Sequence, residues 1–203
     1  MLLTPIIRYL FVPAVALLLT FQIYTWIDSN FLSADKETKS SGEALIGGDF
    51  ELTNQNGAKV KNTDFSDKYM LVYFGFTNCP MICPTDMAVL TQSLEILGDN
   101  SNKIQPIFIT IDPERDTPEQ INSFLSNFYP TFQGLTGTQE EIADVANKYR
   151  VYSKKVKAED VGEYLMDHSA YTYLMDKSGK YITHFRHEQP AENIAKKLRE
   201  YIK

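Results

Sequence analysis

The sequence predicts a three-layer α/β sandwich standing behind one membrane-spanning helix. Three features predict it: a long uncharged run near the start, two apolar runs separated by an amphipathic stretch, and a closing hairpin followed by a helix. With 203 residues, 43% of them hydrophobic, the chain can bury one good core and carry an appendage, but not two large domains.

The uncharged run is Tyr9 to Ile27, nineteen residues, about the length that a helix needs to cross a bilayer core. Pro13 inside it is tolerated in a spanning helix. A cleaved signal peptide is the rival reading. Its apolar region should be shorter, about 7–15 residues, and end at a small-residue cleavage site, for which Phe31-Leu32-Ser33-Ala34 is a poor match. Tyr24 and Trp26 suit an interface anchor. Residues 1–8, with Arg8, then lie in the cytoplasm, residues 9–27 span the membrane, and the polar residues 28–44 form a flexible tether. The domain follows as residues 45–203. No Arg- and Ser-rich presequence is present, so the expected setting is a bacterial inner membrane with the body in the periplasm, where disulfides can form. Beyond residue 27 the net charge is -7 and no Lys/Arg run occurs, which argues against nucleic acid as a partner.

Within the domain, Asn54-Gln55-Asn56-Gly57 between two short alternating segments predicts a hairpin over residues 50–61. Tyr69 to Phe76 is an apolar, aromatic run suited to a strand buried on both faces. Met87, Leu90, Leu94 and Leu97 recur at helical spacing and Gly98 supplies a stop, so residues 84–97 are expected to be helical. Ile104 to Ile111 reads as a second buried strand, weakened at its start by Pro106. Thr-Pro-Glu-Gln opens a helix over 117–126, with proline at its first position. Thr138 and Glu141 form a capping box for a helix over 138–149. Residues 169–185 make a hairpin around Lys177-Ser178-Gly179, and 190–202 a last helix.

Both cysteines, Cys79 and Cys83, lie in the segment that joins the first buried strand to its helix, and each precedes a proline. A residue before proline is biased away from the α region, so the expectation is that Pro84 starts the helix with Cys83 just ahead of it. The positive end of a helix favours thiolate over thiol. Three readings stay open on the residues alone. A disulfide across so short a loop constrains little of the unfolded chain. A redox pair needs only that the turn bring the sulfurs together. Two thiolates favour a soft metal, and Cu(I) in particular accepts few ligands, whereas a structural zinc site wants four. Of the three histidines, His168 stands before a strand in a loop able to face the cysteines, while His184 and His187 lie near a hairpin end and a loop.

The segments "GFTNCPMICPTDM", "TIDPERDTPEQ" and "YLMDHSAYTYLMDKSGKYITHF", in this order behind a membrane anchor, resemble the Sco/SenC proteins. These are membrane-tethered, thioredoxin-like copper proteins that assist cytochrome c oxidase assembly. The resemblance covers about residues 45–203, and three separated motifs agree. It implies a thioredoxin-like fold with the hairpin of 50–61 as an N-terminal addition. It also implies that Cys79, Cys83 and His168 match copper ligands for Cu(I), with Cu(II) accessible. Asp112 and Asp167 are the candidates for orienting His168 or shaping its loop. Many members carry an acidic residue where this chain has Met81, and an aromatic or histidine where it has Asn78. Neither position supplies a ligand.

The function so implied is a copper metallochaperone, receiving the ion from a donor protein and passing it to the copper-site subunit of the oxidase. Thiol-disulfide oxidoreductase chemistry by Cys79 and Cys83 is the alternative. Thioredoxin relatives use a shorter Cys-x-x-Cys and a cis-proline, and "DHSAYTYLMD" offers no proline where that residue would stand. A peroxide-reducing role is suggested by the shared fold class alone.

Overall fold

The computed structural model describes residues 18–22, 46–158 and 163–202. The chain divides into two units, residues 1–43 and 44–203. Of the predicted span 9–27, only residues 18–22 are described; they are helical, with Leu18, Leu19 and Phe21 exposed. The rest of the span and the tether lie outside the described residues. Among the described residues no helix is long and apolar enough to cross a membrane.

The second unit is built on a mixed seven-stranded sheet in the order β2-β1-β5-β4-β3-β8-β9. Its strands are β1 (Glu51–Asn54), β2 (Lys59–Lys61), β3 (Tyr69–Gly75), β4 (Ile104–Thr110), β5 (Gln133–Thr136), β8 (Tyr171–Met175) and β9 (Tyr181–Arg186). The helices are α1 (Ile82–Leu97), α2 (Pro118–Leu125), α3 (Gln139–Lys148) and α4 (Ala191–Tyr201). A separate antiparallel hairpin, β6 (Ser153–Ala158) and β7 (Glu163–His168), stands outside the main sheet.

β3 and β4 pair in parallel and carry the core. Leu71, Val72, Tyr73 and Phe74 are all fully buried, as a strand covered on both faces must be. Alternation along β3 assigns the two faces. Tyr73 and its register partner Phe108 face α1 and α2, and Phe108 packs against Phe124 in a tilted pair with ring centroids 5.5 Å apart. Gly134 lets α2 press onto β5, since a Cβ there would collide with Ile121 and Leu125. On the opposite face Phe74 meets Tyr149, just past α3, with centroids 5.2 Å apart. Helices on both faces give the expected three layers.

The predicted hairpin forms as β1 and β2, with Glu51 opposite Lys61. It is also the continuation of the sheet, because β1 pairs antiparallel with β5. The capping box of Thr138 and Glu141 and the Thr117 cap with Pro118 at the first position are both present. One expectation is corrected: α1 starts at Ile82, so Cys83 lies inside its first turn and Pro84 one residue further on. The first-turn N–H groups of a helix have no partner within it, so proline is tolerated there and the bias on its predecessor is overcome.

Candidate metal centre

The parallel pairing of β3 and β4 places their carboxyl ends side by side, and β8, running the other way, begins at that same end. Three segments therefore converge: the loop from Phe76 to Met81, the loop from Ile111 to Thr117, and the residues from His168 to Ala170. Ligand sites in open α/β sheets favour this edge.

Cys79 and Cys83 are free thiols, 9% and 0% exposed. The Cys79 sulfur accepts a hydrogen bond from the Cys83 N–H at 3.3 Å, part of the donor array that the first turn of α1 leaves open. The Cys83 thiol donating to it, with the N–H groups of Cys83, Met81 and Ile82, outweighs burial and holds Cys79 down at about 5. Cys83 is pushed up strongly, first by the Cys79 thiolate beside it and then by burial. Gly75 leaves room for this sulfur, since a Cβ there would stand 3.1 Å from it. The Tyr73 hydroxyl lies against Cys83 and donates to Asp86 at 3.2 Å.

The two thiols should therefore differ in reactivity. In the metal-free protein Cys79 is expected to alkylate selectively, with a rate that stays high down to about pH 5, while Cys83 stays slow across the neutral range. Peptide mapping after iodoacetamide pulses at several pH values checks this, and equal labelling of both sites at pH 6 would contradict it.

His168 lies not in the expected loop but at the end of β7, with only Ser169 and Ala170 between it and β8. Its Nε2 stands 3.8 Å from the Cys83 sulfur, and its ring meets Phe76 edge to face at 5.9 Å. Nδ1 lies 3.1 Å from the carbonyl oxygen of Ser169. A carbonyl only accepts, so Nδ1 carries the proton and Nε2 offers its lone pair towards the sulfur. A separation of 3.8 Å can be spanned by one metal ion held by bonds of about 2.0–2.3 Å. The three donors meet pairwise about Cys83; among the described residues no group of three or more His, Cys, Asp or Glu side chains closes around a single point.

Asp112 is buried. Arg115 Nε donates to it, the Tyr164 hydroxyl donates to it at 2.8 Å, and its own N–H donates to Thr110 Oγ1 at 2.9 Å. It thus braces the hairpin whose last residue is His168. Asp167, the other expected support, is exposed and stands opposite Lys154 across that hairpin. Adjacent strand residues point to opposite faces, which turns Asp167 away from the side that His168 presents to the cysteines. The Ser169 carbonyl orients the ring instead. His187 bonds Asp86 at 2.6 Å behind α1, and His184 packs among Tyr171, Tyr173 and Tyr181. Met81 is 71% exposed beside the sulfur pair.

One residue with a part in the site is not evident in the sequence. Asp116, fully buried, accepts from Thr77 N–H at 3.0 Å, Thr77 Oγ1 at 2.6 Å and Thr110 Oγ1 at 2.6 Å, so it ties the cysteine loop to the end of β4. Its place beside the helix cap Thr117 gives it the look of ordinary capping polarity. Burial pushes its carboxyl up against the lowering pull of the two threonines.

A family model described as SCO1/SenC matches residues 38–203. The chain is 44% identical over 155 residues to an SCO2-like protein of Rickettsia conorii, covering 76% of each chain. Its fold is similar to that of Bradyrhizobium japonicum ScoI with copper bound, at 44% identity and TM-score 0.71, covering 77% of this chain and 99% of that one. It is similar also to BsSco, described as having a disulfide switch and as a member of the Sco family of cytochrome c oxidase assembly proteins. There the identity is 25% and the TM-score 0.61, covering 78% of this chain and 95% of that one.

Proposed function

The chain belongs to the SCO1/SenC family, and from this premise we propose that it is a copper carrier for cytochrome c oxidase assembly, holding one copper ion through Cys79, Cys83 and His168. The observation that carries the reading is the Nε2 lone pair of His168 set 3.8 Å from the buried Cys83 sulfur, which itself adjoins the Cys79 thiolate. Two sulfurs and one imidazole suit Cu(I) and also admit Cu(II). An open, three-donor site leaves room for a partner's thiolate to enter before a bond on this side is lost, so cargo passes by ligand exchange within a docked complex. Residues 9–27 would hold the protein in a bacterial inner membrane, with the domain in the periplasm facing a copper donor protein and the copper-site subunit of the oxidase.

Anaerobic Cu(I) titration of the detergent-solubilised full chain, followed by X-ray absorption, tests the reading. One equivalent with two sulfur neighbours and one nitrogen neighbour is expected. Sulfur-only coordination, or no binding above a cysteine-free variant, would refute it.

The contrast between Cys79 and Cys83 favours one second reading, thiol-disulfide exchange. The Cys79 thiolate would attack a disulfide of the oxidase subunit, and Cys83 would resolve the mixed disulfide. The subunit leaves with two thiols and this chain with a disulfide, which an external dithiol must then reduce. Efficient turnover of a disulfide substrate by His168→Ala would favour that chemistry over copper carriage.

A further inference from the structure

We propose that Arg115 and Tyr164 are positioning residues that hold β7 against the domain and so set the place of the His168 imidazole. This rests on the reading of His168 as a ligand and extends it to side chains outside the donor set.

The inference follows from strand geometry. Tyr164, Met166 and His168 alternate onto one face of β7. His168 meets Phe76 and Cys83, and Met166 is buried in the core. Tyr164 is gripped at the far end. The Arg115 guanidinium lies 3.8 Å from its ring centroid, Arg115 Nη1 donates to its carbonyl oxygen at 3.0 Å, and its hydroxyl donates to Asp112 at 2.8 Å. Arg115 is also joined to Asp112 through Nε and sits 6.0 Å from the Phe76 ring that abuts His168. Lys155 covers the same Tyr164 ring from β6 and pairs with Glu114, so both strands of the hairpin are fastened to the loop after β4.

The hairpin has no place in the main sheet, so its position depends on side chains rather than on a backbone ladder to the core. Met166 is the buried residue of β7 and sets how deeply the strand sits, with Tyr164 and Leu165 only partly buried beside it; a strand held at that one buried point is free to pivot about it. The contact at Tyr164, about 13 Å along the strand from His168, removes the pivot. A planar guanidinium that both stacks and forks is suited to this role, where a lysine is not.

The test compares the full-length parent with Tyr164→Phe, Tyr164→Ala and Arg115→Lys, metal-free, by backbone hydrogen exchange and by nitrogen shifts of the His168 ring. Tyr164→Ala and Arg115→Lys are expected to speed exchange over residues 163–168 at least tenfold and to average the ring signal, with β3 and β4 unchanged. Tyr164→Phe, which keeps the stacked ring, should show a smaller change in the same direction and keeps the test valid if the alanine variant fails to fold. Parent-like exchange and shifts in Tyr164→Phe and Arg115→Lys would overturn the proposal. Copper affinity is measured separately on parent and His168→Ala. Equal affinities there would remove the ligand reading, while the metal-free data would still decide whether Arg115 and Tyr164 position the ring.

Discussion

Cys83→Ser is expected to weaken Cu(I) binding by more than about 100-fold, beyond the 10–100-fold typical of losing a group that only supports a ligand. Cys83 is the donor through which the other two meet: His168 Nε2 is 3.8 Å from its sulfur and its N–H donates to Cys79. A serine oxygen in that buried position is a hard donor with no affinity for a soft ion. His168→Ala leaves both sulfurs in place, so its loss for Cu(I) should be smaller, and its loss for Cu(II), which prefers imidazole, larger. Anaerobic competition against a chromophoric Cu(I) chelator measures the first effect, and the visible spectrum of the Cu(II) form the second. Cys83→Ser that competes as well as the parent would be incompatible with the proposed centre.

Asp116→Ala is expected to destabilise the domain by about 3–4 kcal/mol, which lowers the midpoint of thermal unfolding by roughly 10 °C. The alanine strands the Thr77 N–H and two threonine hydroxyls that now donate to the carboxylate, the Thr110 hydroxyl in a buried position and the Thr77 groups in a part-buried one. Each orphaned group costs about 1–3 kcal/mol, part of which the hydroxyls recover by turning to other acceptors. Asp116→Asn retains one acceptor oxygen and should cost less. The pH dependence has a definite sign. Burial raises the folded-state value of this carboxyl above the unfolded one, so its contribution is greatest below the unfolded value and declines as pH rises through the folded value. The stability gap between the parent and Asp116→Asn should therefore narrow with rising pH. Urea unfolding at several pH values checks both statements; a gap that widens would show that the three hydrogen bonds outweigh burial.

Most of the main-sheet elements were legible because local chemistry marks them. Tyr69–Gly75 and Ile104–Thr110 are continuous apolar runs, Thr117-Pro118 and Thr138 with Glu141 announce their helices, and Asn-Gln-Asn-Gly announces the first hairpin. β5 was not legible. Gln133–Thr136 is four residues with a glycine, and it becomes a strand by lying between β4 and β1. β6 and β7 were also hidden, since Ser153–Ala158 is half lysine and its pairing with Glu163–His168 depends on anchors elsewhere in the chain. The early start of α1 at Ile82 was masked by Pro84, because a local preference against helix ahead of proline is weaker than what the first turn gains by burying Cys83 and bonding its N–H to the Cys79 sulfur.

By itself the sequence determined the chemical inventory: one pair of sulfurs at a strand-to-helix junction, a histidine before a strand, and the motif order that marks the family. Only the tertiary structure decided which groups share space. It set His168 rather than His184 or His187 beside Cys83, put Asp116 under the cysteine loop, and turned Asp167 outward while Arg115 and Tyr164 took hold of the hairpin. The reason is physical: residue type and spacing govern short-range preference, whereas proximity between residues 83 and 168 follows from the parallel pairing of β3 with β4 and the antiparallel entry of β8 beside them.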